Sequence, residues 1–378
     1  MSAFHKFMTH MSNNVDFEKF FLTMLEELAS REQEVLKKRY QLTGDIAQKN
    51  TLKQIGDEYG ITRERVRQIE KEAISKLVRI AKAEEYLQEI EAINATLVQY
   101  LERRGGLARE DELVSEHLTD SYNLNALHQN AYLFILEHML DNVDRHNEND
   151  DYHSFWVLKA VERDSIFSFI NGVIEHLVGK SAVQEEKDLL DSIKSQVLVK
   201  VDLAHIDPLM SKHSDVSVDD FINSYLSVTK KIEKNILGSW GLTEWADVKP
   251  KKLADKIHLV FKKNEKPLHF RDVAELINTA DFDKKNICAA TVHNELIAND
   301  GYILIGRGIY AKKDWGYTPG TVTDIISQIL TENTKPMSKE DIYEQVLKQR
   351  QVNPSTIYLS LINKNKFNKL SNGMFELK

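Results

Sequence analysis

Apolar residues recur every three or four positions over long stretches of the chain. Phe17, Phe20, Phe21, Met24, Leu25 and Leu28 make one such stripe, and Leu87, Ile90, Ile93, Leu97 and Leu101 make another. This spacing predicts amphipathic helices, and helix dominates the expected structure. Strand patterns are few and short. Residues 302–305 and 309–311, parted by Gly306-Arg307-Gly308, predict a hairpin. Weaker strand patterns stand at 155–158 and on either side of Ser371-Asn372-Gly373. Breaks are expected at Arg104-Gly105-Gly106, along the polar stretch 145–151, near Asp207-Pro208, at Val248-Lys249-Pro250 and at 317–320.

Three segments resemble one another: 106–113, 267–274 and 336–343. In each an apolar residue (Leu107, Leu268, Met337) stands four positions before an aspartate (Asp111, Asp272, Asp341). Each follows an apolar helix and precedes a strand-like hairpin, which is the order of a winged helix. A weaker fourth copy lies at 216–221. The fold class expected is therefore mainly α: a helix-turn-helix domain plus two or more small winged-helix (α+β) modules joined by helical connectors. The expected divisions are an N-terminal helical segment (1–26), the helix-turn-helix (27–80), a long helix with a winged-helix pattern (81–160), an acidic helical region (161–247), and two C-terminal modules (248–317 and 318–378).

Residues 51–79 read TLKQIGDEYGITRERVRQIEKEAISKLVR. Leu52, Ile55 and Tyr59 mark one short apolar face, Gly60 stands where a left-handed residue ends a helix, and Thr62 can cap the next one. Val66, Ile69, Ala73, Ile74 and Leu77 form the buried stripe of that second helix, which leaves Arg63, Glu64, Arg67, Gln68 and Lys71 on the other side. Arg and Gln match guanine and adenine edges in the major groove, and the first turns of a recognition helix are the part that reaches bases.

LASREQEVLKKRY at 28–40, followed by TLKQIGDEYGITRERVRQIEKEAISKL at 51–77, resembles region 4 of the primary sigma factors of bacterial RNA polymerase. The resemblance implies that Arg63, Glu64, Arg67 and Gln68 read the upstream promoter hexamer in double-stranded DNA. It also implies that Arg31, Arg39, Thr51, Thr62, Arg65 and Lys71 hold phosphates, which positions the reader without specifying sequence. The family's promoter-melting segment is long, aromatic-rich and upstream, whereas 27 residues precede Leu28 here, so a complete sigma factor is not expected. A second stretch, 248–317, resembles the HARE-HTH winged helix found in the delta subunit of bacterial RNA polymerase and in chromatin regulators. Helices are expected at 251–262, 270–278 and from about Lys284 to Asn299, the last carrying Thr291, His293 and Asn294. A wing follows at 302–311, where Arg307, Lys312 and Lys313 could meet a phosphate or the minor groove. Such a module can bind DNA or protein, and the resemblance leaves both open.

Composition narrows the function further. The chain of 378 residues carries a net charge of -8, but Lys and Arg exceed Asp and Glu by 3 over 27–80 and by 6 over 248–378. Residues 81–247 carry -16. Basic ends around an acidic centre suit contact with phosphate at the ends and with protein or solvent between them. One cysteine, Cys288, excludes an internal disulfide and a thiolate zinc cluster. No apolar run of membrane-spanning length occurs, so a cytoplasmic, nucleoid-associated protein without a membrane contact is expected. His146 and His153 beside Asp150 and Asp151 are the densest metal candidate, in what reads as a flexible acidic loop, and no metal is expected there. No phosphate-binding glycine motif follows a strand, so neither cofactor, small-molecule substrate nor catalysis is expected. The favoured reading is a DNA-binding transcription regulator acting with RNA polymerase. The alternative is a delta-like polymerase accessory protein that works mainly through protein contacts.

Overall fold

The computed structural model describes residues 17–42, 48–118, 126–199, 206–283, 285–363 and 365–378. The chain forms two compact units, 1–182 with 186–233, and 183–185 with 234–378. It is mainly helical with small antiparallel sheets. Among the described residues, no helix is long and apolar enough to cross a membrane.

The first unit begins with α1 (Phe17–Glu26), α2 (Ser30–Tyr40), α3 (Leu52–Tyr59) and α4 (Arg63–Ile80). Val35, Ile55, Val66 and Ile69 are buried together, with Leu52, Tyr59 and Ile61 packed against them. The next helix, α5 (Glu84–Glu102), buries Tyr86, Ile90, Ile93, Leu97 and Leu101. The expected stripe began at Leu87, which is exposed; starting at Tyr86 gives spacings of four, three, four and four, closer to the true helical period. Then come β1 (Leu107–Arg109), a one-turn helix α6 (Glu110–Glu112) running into a π-helical turn at Leu113–Leu118, α7 (Ala126–His138), β2 (Val143–His146) and β3 (Phe155–Leu158). The sheet order is β1-β3-β2, antiparallel throughout. The last two residues of β2, Arg145 and His146, fall in the stretch 145–151 expected as a break and a flexible acidic loop. Its His146 stacks on Phe155 at 4.7 Å and meets Tyr152 and Phe167 edge-on, so this histidine belongs to an aromatic cluster. Among the described residues, no group of three or more His, Cys, Asp or Glu could hold a metal.

Helix α7 packs against α1 and α2. Phe134 meets Phe21 and Tyr40 edge-on, with centroids 5.8 and 4.8 Å apart, and the His138 ring meets Tyr40. The unit continues through α8 (Arg163–Lys180), α9 (Glu186–Ser192), α10 (Ile206–Lys212) and α11 (Val218–Ser227). In the weaker copy at 216–221 Val216 precedes the N-cap Ser217 of α11, whose capping box is closed by Asp220, as Met337 precedes the N-cap Ser338 of the corresponding helix near the C-terminus, but Val216 itself lies in neither a strand nor a bridge. Tyr225 of this helix donates from its hydroxyl to Gly105 O at 2.8 Å and so fixes the turn that leads into β1.

Strands β4 (Ile232–Lys234) and β5 (Trp240–Leu242) precede two repeated sets in the second unit. The first set is α12 (Leu253–Asn264), β6 (Leu268–His269), α13 (Phe270–Ala280), α14 (Ala289–Ala298), β7 (Tyr302–Gly306) and β8 (Ile309–Lys312), with sheet order β6-β8-β7. The second is α15 (Val322–Asn333), α16 (Lys339–Gln349), α17 (Pro354–Leu361), β9 (Phe367–Lys369) and β10 (Phe375–Leu377). The apolar residue of the sequence repeat falls in a short strand in two copies and in a single β-bridge in the third. Leu107 pairs with Val157, Leu268 with Tyr310, and Met337 bridges Phe375. Asp272 and Asp341 fall in the first turns of α13 and α16, where a carboxylate favours the helix dipole.

Helix α14 starts at Ala289, five residues later than expected. The Asn278 amide donates to Ile287 O at 3.0 Å and accepts from Ile287 N at 2.8 Å, so the backbone before Cys288 is held in a loop. The two sets carry separate cores, one around Phe261, Val273 and Leu296 and one around Ile329, Ile342 and Ile357. They are also joined: Gln351 N donates to Ile305 O at 2.9 Å, and buried Arg350 donates to Thr318 O and Gly320 O at 2.6 and 2.7 Å. A fragment spanning 247–318 is expected to unfold in one cooperative transition on its own core. Its midpoint will lie below that of the intact second unit because the Gln351 bond and the Arg350 clamp are gone. Circular dichroism melts check this, and a gradual, non-cooperative loss of signal would count against the boundary.

Candidate nucleic-acid interface

The helix pair α3–α4 is built by local signals in the order the sequence gives them. Thr51 caps α3: its hydroxyl oxygen accepts from Gln54 N at 3.2 Å, and the Gln54 side chain accepts from Thr51 N at 2.8 Å. Gly60 ends the helix at φ 63°, a left-handed conformation that favours glycine. The neighbouring Gly56 is required for a different reason, since a Cβ there would come within 2.7 Å of Ile61 O. This close approach sets the tight angle between the two helices, and an ordinary amphipathic pattern did not reveal it. Thr62 then caps α4, accepting from Arg65 N at 3.2 Å.

Helix α4 buries Val66, Ile69, Ala73 and Leu77 on one side, with Ile74 half-buried. Arg63, Glu64, Arg65, Arg67, Gln68 and Lys71 are all exposed on the other. The four expected base readers therefore share the solvent face of the first two turns. Three of them, Glu64, Arg67 and Gln68, are organised by contacts along the helix. Arg67 donates from Nε and Nη2 to the Glu64 carboxylate at 2.9 and 2.6 Å, which holds that carboxyl below its ordinary range. Arg65 donates to Gln68 Oε1 at 3.0 Å. Four side chains with long rotamer freedom are thus partly pre-ordered before any ligand arrives.

The expected phosphate contacts divide into two groups. Arg31 is exposed and stacks over the Tyr59 ring at 5.7 Å, while Thr51, Thr62, Arg65 and Lys71 are exposed around the α3–α4 turn and along α4. Arg39 is committed elsewhere: its Nε reaches Glu70 at 3.3 Å and its Nη1 donates to Asn50 O at 3.3 Å. It ties α2 to α4 and to the residue before α3, so its charge is already partly neutralised. Its partner lies 31 residues away in sequence, which is why the pattern did not show it.

In the second unit Arg307 is exposed at the tip between β7 and β8, and Lys313 is exposed beside it. Lys312 differs, because its ammonium pairs with Asp314 at 3.1 Å and is largely covered. On α14, Thr291 and Asn294 are exposed and His293 stacks on Phe270 with centroids 4.4 Å apart. Lys256, on α12, is nearly buried and paired with Asp283 at 2.8 Å, a structural ion pair that the charge pattern did not separate from surface lysines.

Residues 24–78 match the family described as Sigma-70, region 4. That segment is a DNA-binding helix-turn-helix of the kind used in transcription, and it coincides with α2 to α4 as found here.

Proposed function

We propose that the chain is a transcription regulator that reads promoter-type DNA with α4 and acts beside RNA polymerase, without catalysing a reaction. One observation carries this reading. The first two turns of α4 present Arg63, Glu64, Arg67 and Gln68 to solvent from a helix whose opposite stripe is buried and whose start is capped by Thr62. A charged helix face of this kind is ordinary on its own. Preceded by a short helix, a left-handed Gly60 and a close-approach Gly56, it has the docking geometry of a recognition helix. Arg67 and Gln68 then supply bidentate contacts to base edges, and Glu64 aims Arg67.

The repeated helix, strand, helix, helix, hairpin sets are winged-helix modules on this reading, with 248–317 of the HARE-HTH kind and Arg307 at its wing tip. The acidic stretch 81–247 separates the DNA-reading end from them in sequence. The accessory-protein alternative gains from the second unit, whose last module shows an apolar outward face.

The test is selection of a preferred site from random double-stranded DNA, followed by binding measurements on that site and on a scrambled one. Arg67→Ala or Gln68→Ala is expected to cost about 1–3 kcal/mol on the preferred site and far less on the scrambled one. An equal loss on both would make these residues phosphate contacts and remove the base-reading role.

A further inference from the structure

Helix α4 is held to α2 by two ion pairs of opposite sense. Glu70 of α4 meets Arg39 in the last turn of α2 at 3.3 Å, and Lys76 of α4 meets Glu32 in its first turn at 2.5 Å. The two α2 residues stand about 10 Å apart along their helix axis and the two α4 residues about 9 Å, so one antiparallel register closes both pairs at once. A parallel arrangement would set Glu32 against Glu70 and Arg39 against Lys76. A slip of one turn, about 5.4 Å, would part both pairs. The Glu70 and Glu32 side chains are 14% and 10% exposed, so neither carboxylate can simply turn to water in place of its cation.

Arg39 reaches further than an ordinary pair. Its Nη1 donates to Asn50 O at 3.3 Å, and Asn50 N donates to Lys38 O at 2.9 Å. Asn50 directly precedes Thr51, the cap of α3, so one guanidinium holds both the start of α3 and the body of α4 to the end of α2. Burial, and the Glu70 carboxylate to which it donates, push the Tyr40 hydroxyl above the usual tyrosine range. Glu70 stands two residues after Gln68, so its tether acts on the turn that follows the readers. We propose that Arg39 and Glu70 are positioning residues for DNA reading: with the Lys76–Glu32 pair they set the register of α4 along α2, and so the depth and angle at which Arg63, Glu64, Arg67 and Gln68 meet base edges. This rests on base reading by α4, and it assigns Arg39 to the geometry of the reader in place of the phosphate contact that the sigma resemblance implies. A phosphate would have to draw Arg39 away from Glu70 and leave that nearly covered carboxylate without its cation. Bidentate contacts to bases tolerate little misplacement, whereas phosphate contacts carry no sequence information, so a register error costs a preferred site more than a scrambled one.

The intact chain carrying Glu70→Gln, Arg39→Gln or both is titrated with the selected DNA site and with a scrambled one at several salt concentrations. Each single substitution is expected to lower the preference for the selected site by about threefold to tenfold. The double variant should lose no more than the larger single loss, because all three break one pair. The slope of log affinity against log salt should stay that of the parent, since no phosphate contact is lost. A phosphate-holding Arg39 gives the reverse pattern. Arg39→Gln then weakens both DNAs alike and lowers the slope by about one, and Glu70→Gln strengthens both by freeing the guanidinium. That pattern overturns the proposal, as do an unchanged preference in Glu70→Gln and single losses that multiply in the double variant. If a single variant melts early, the double variant, which leaves neither charge unpaired, still reads the preference in a folded chain. A parent without any site preference removes base reading by α4 itself, whereas a preference kept in all three variants removes only the positioning role.

Discussion

Lowering the pH from 7 to about 4.5 is expected to cost the first unit about 2–3 kcal/mol through His117 alone. This histidine is buried beside the rings of Tyr100 and Tyr132, at 4.8 and 6.1 Å. Burial, with the Arg104 guanidinium nearby, pushes its pKa down to about 4. An unfolded histidine titrates near 6.5, so between those two values the unfolded chain takes up a proton that the folded unit excludes. Stability is therefore full above pH 6.5 and falls as the pH drops toward 4. Burial also lowers His138, His146 and His153 in the same unit, and each adds to the loss in the same direction. Glu112, raised by burial, acts the opposite way, but only in the range where carboxylates titrate. Urea unfolding of the full chain at several pH values, followed by hydrogen exchange in peptides from 84–180, measures the effect. His117→Phe should recover a large part of the loss at pH 4.5. If that variant and the parent lose stability in parallel, His117 is not the acid-sensitive group.

How much of this was legible in the sequence depends on how local each signal is. Thr51, Gly60, Thr62 and the stripe at 66, 69, 73 and 77 act within one or two helical turns, and the structure follows them residue by residue. The hairpin at 302–312 was equally local, because its strands and its glycine tip are contiguous. Signals that depend on a distant partner were not legible. Strand β2 is polar in sequence and exists because β3, itself apolar, pairs with it. The two-residue strand β6 is too short to show a period. The loop before α14 is held by Asn278, nine residues before its partner Ile287, and Arg39 is committed by a glutamate on another helix. At the candidate site the identity and exposure of the readers were legible, whereas the pairing of Glu64 with Arg67 and the packing of Phe134 against Phe21 and Tyr40 of the two preceding helices required coordinates.

Replacing Glu110 with Ala should cost about 3 kcal/mol of stability in the first unit, while Glu110→Gln should cost about 1 kcal/mol. The Glu110 carboxylate accepts from Arg145 Nε and Nη2 at 2.6 and 2.7 Å and from Trp156 Nε1 at 3.0 Å. It stands directly after β1, Arg145 lies on β2 and Trp156 on β3, so one side chain ties all three strands of the sheet. Alanine leaves the buried indole N–H without an acceptor and the Arg145 guanidinium with only Glu137, 3.9 Å away. Glutamine keeps one oxygen to accept from the indole and from Arg145 Nε, and loses the charge and the bond from Arg145 Nη2, so it should cost less than alanine, which removes every acceptor. The sheet carries α7, and α7 backs the recognition unit through Phe134 and His138. The caps and core of α3 and α4 are nonetheless their own, so affinity for DNA in native buffer should stay within about twofold of the parent. Urea melts of both variants, paired with binding to the selected DNA site, decide the matter. Equal stability loss in the two variants would sink the hydrogen-bond account, and a large loss of DNA affinity in the still-folded alanine variant would show that α4 depends on the sheet for its docking geometry.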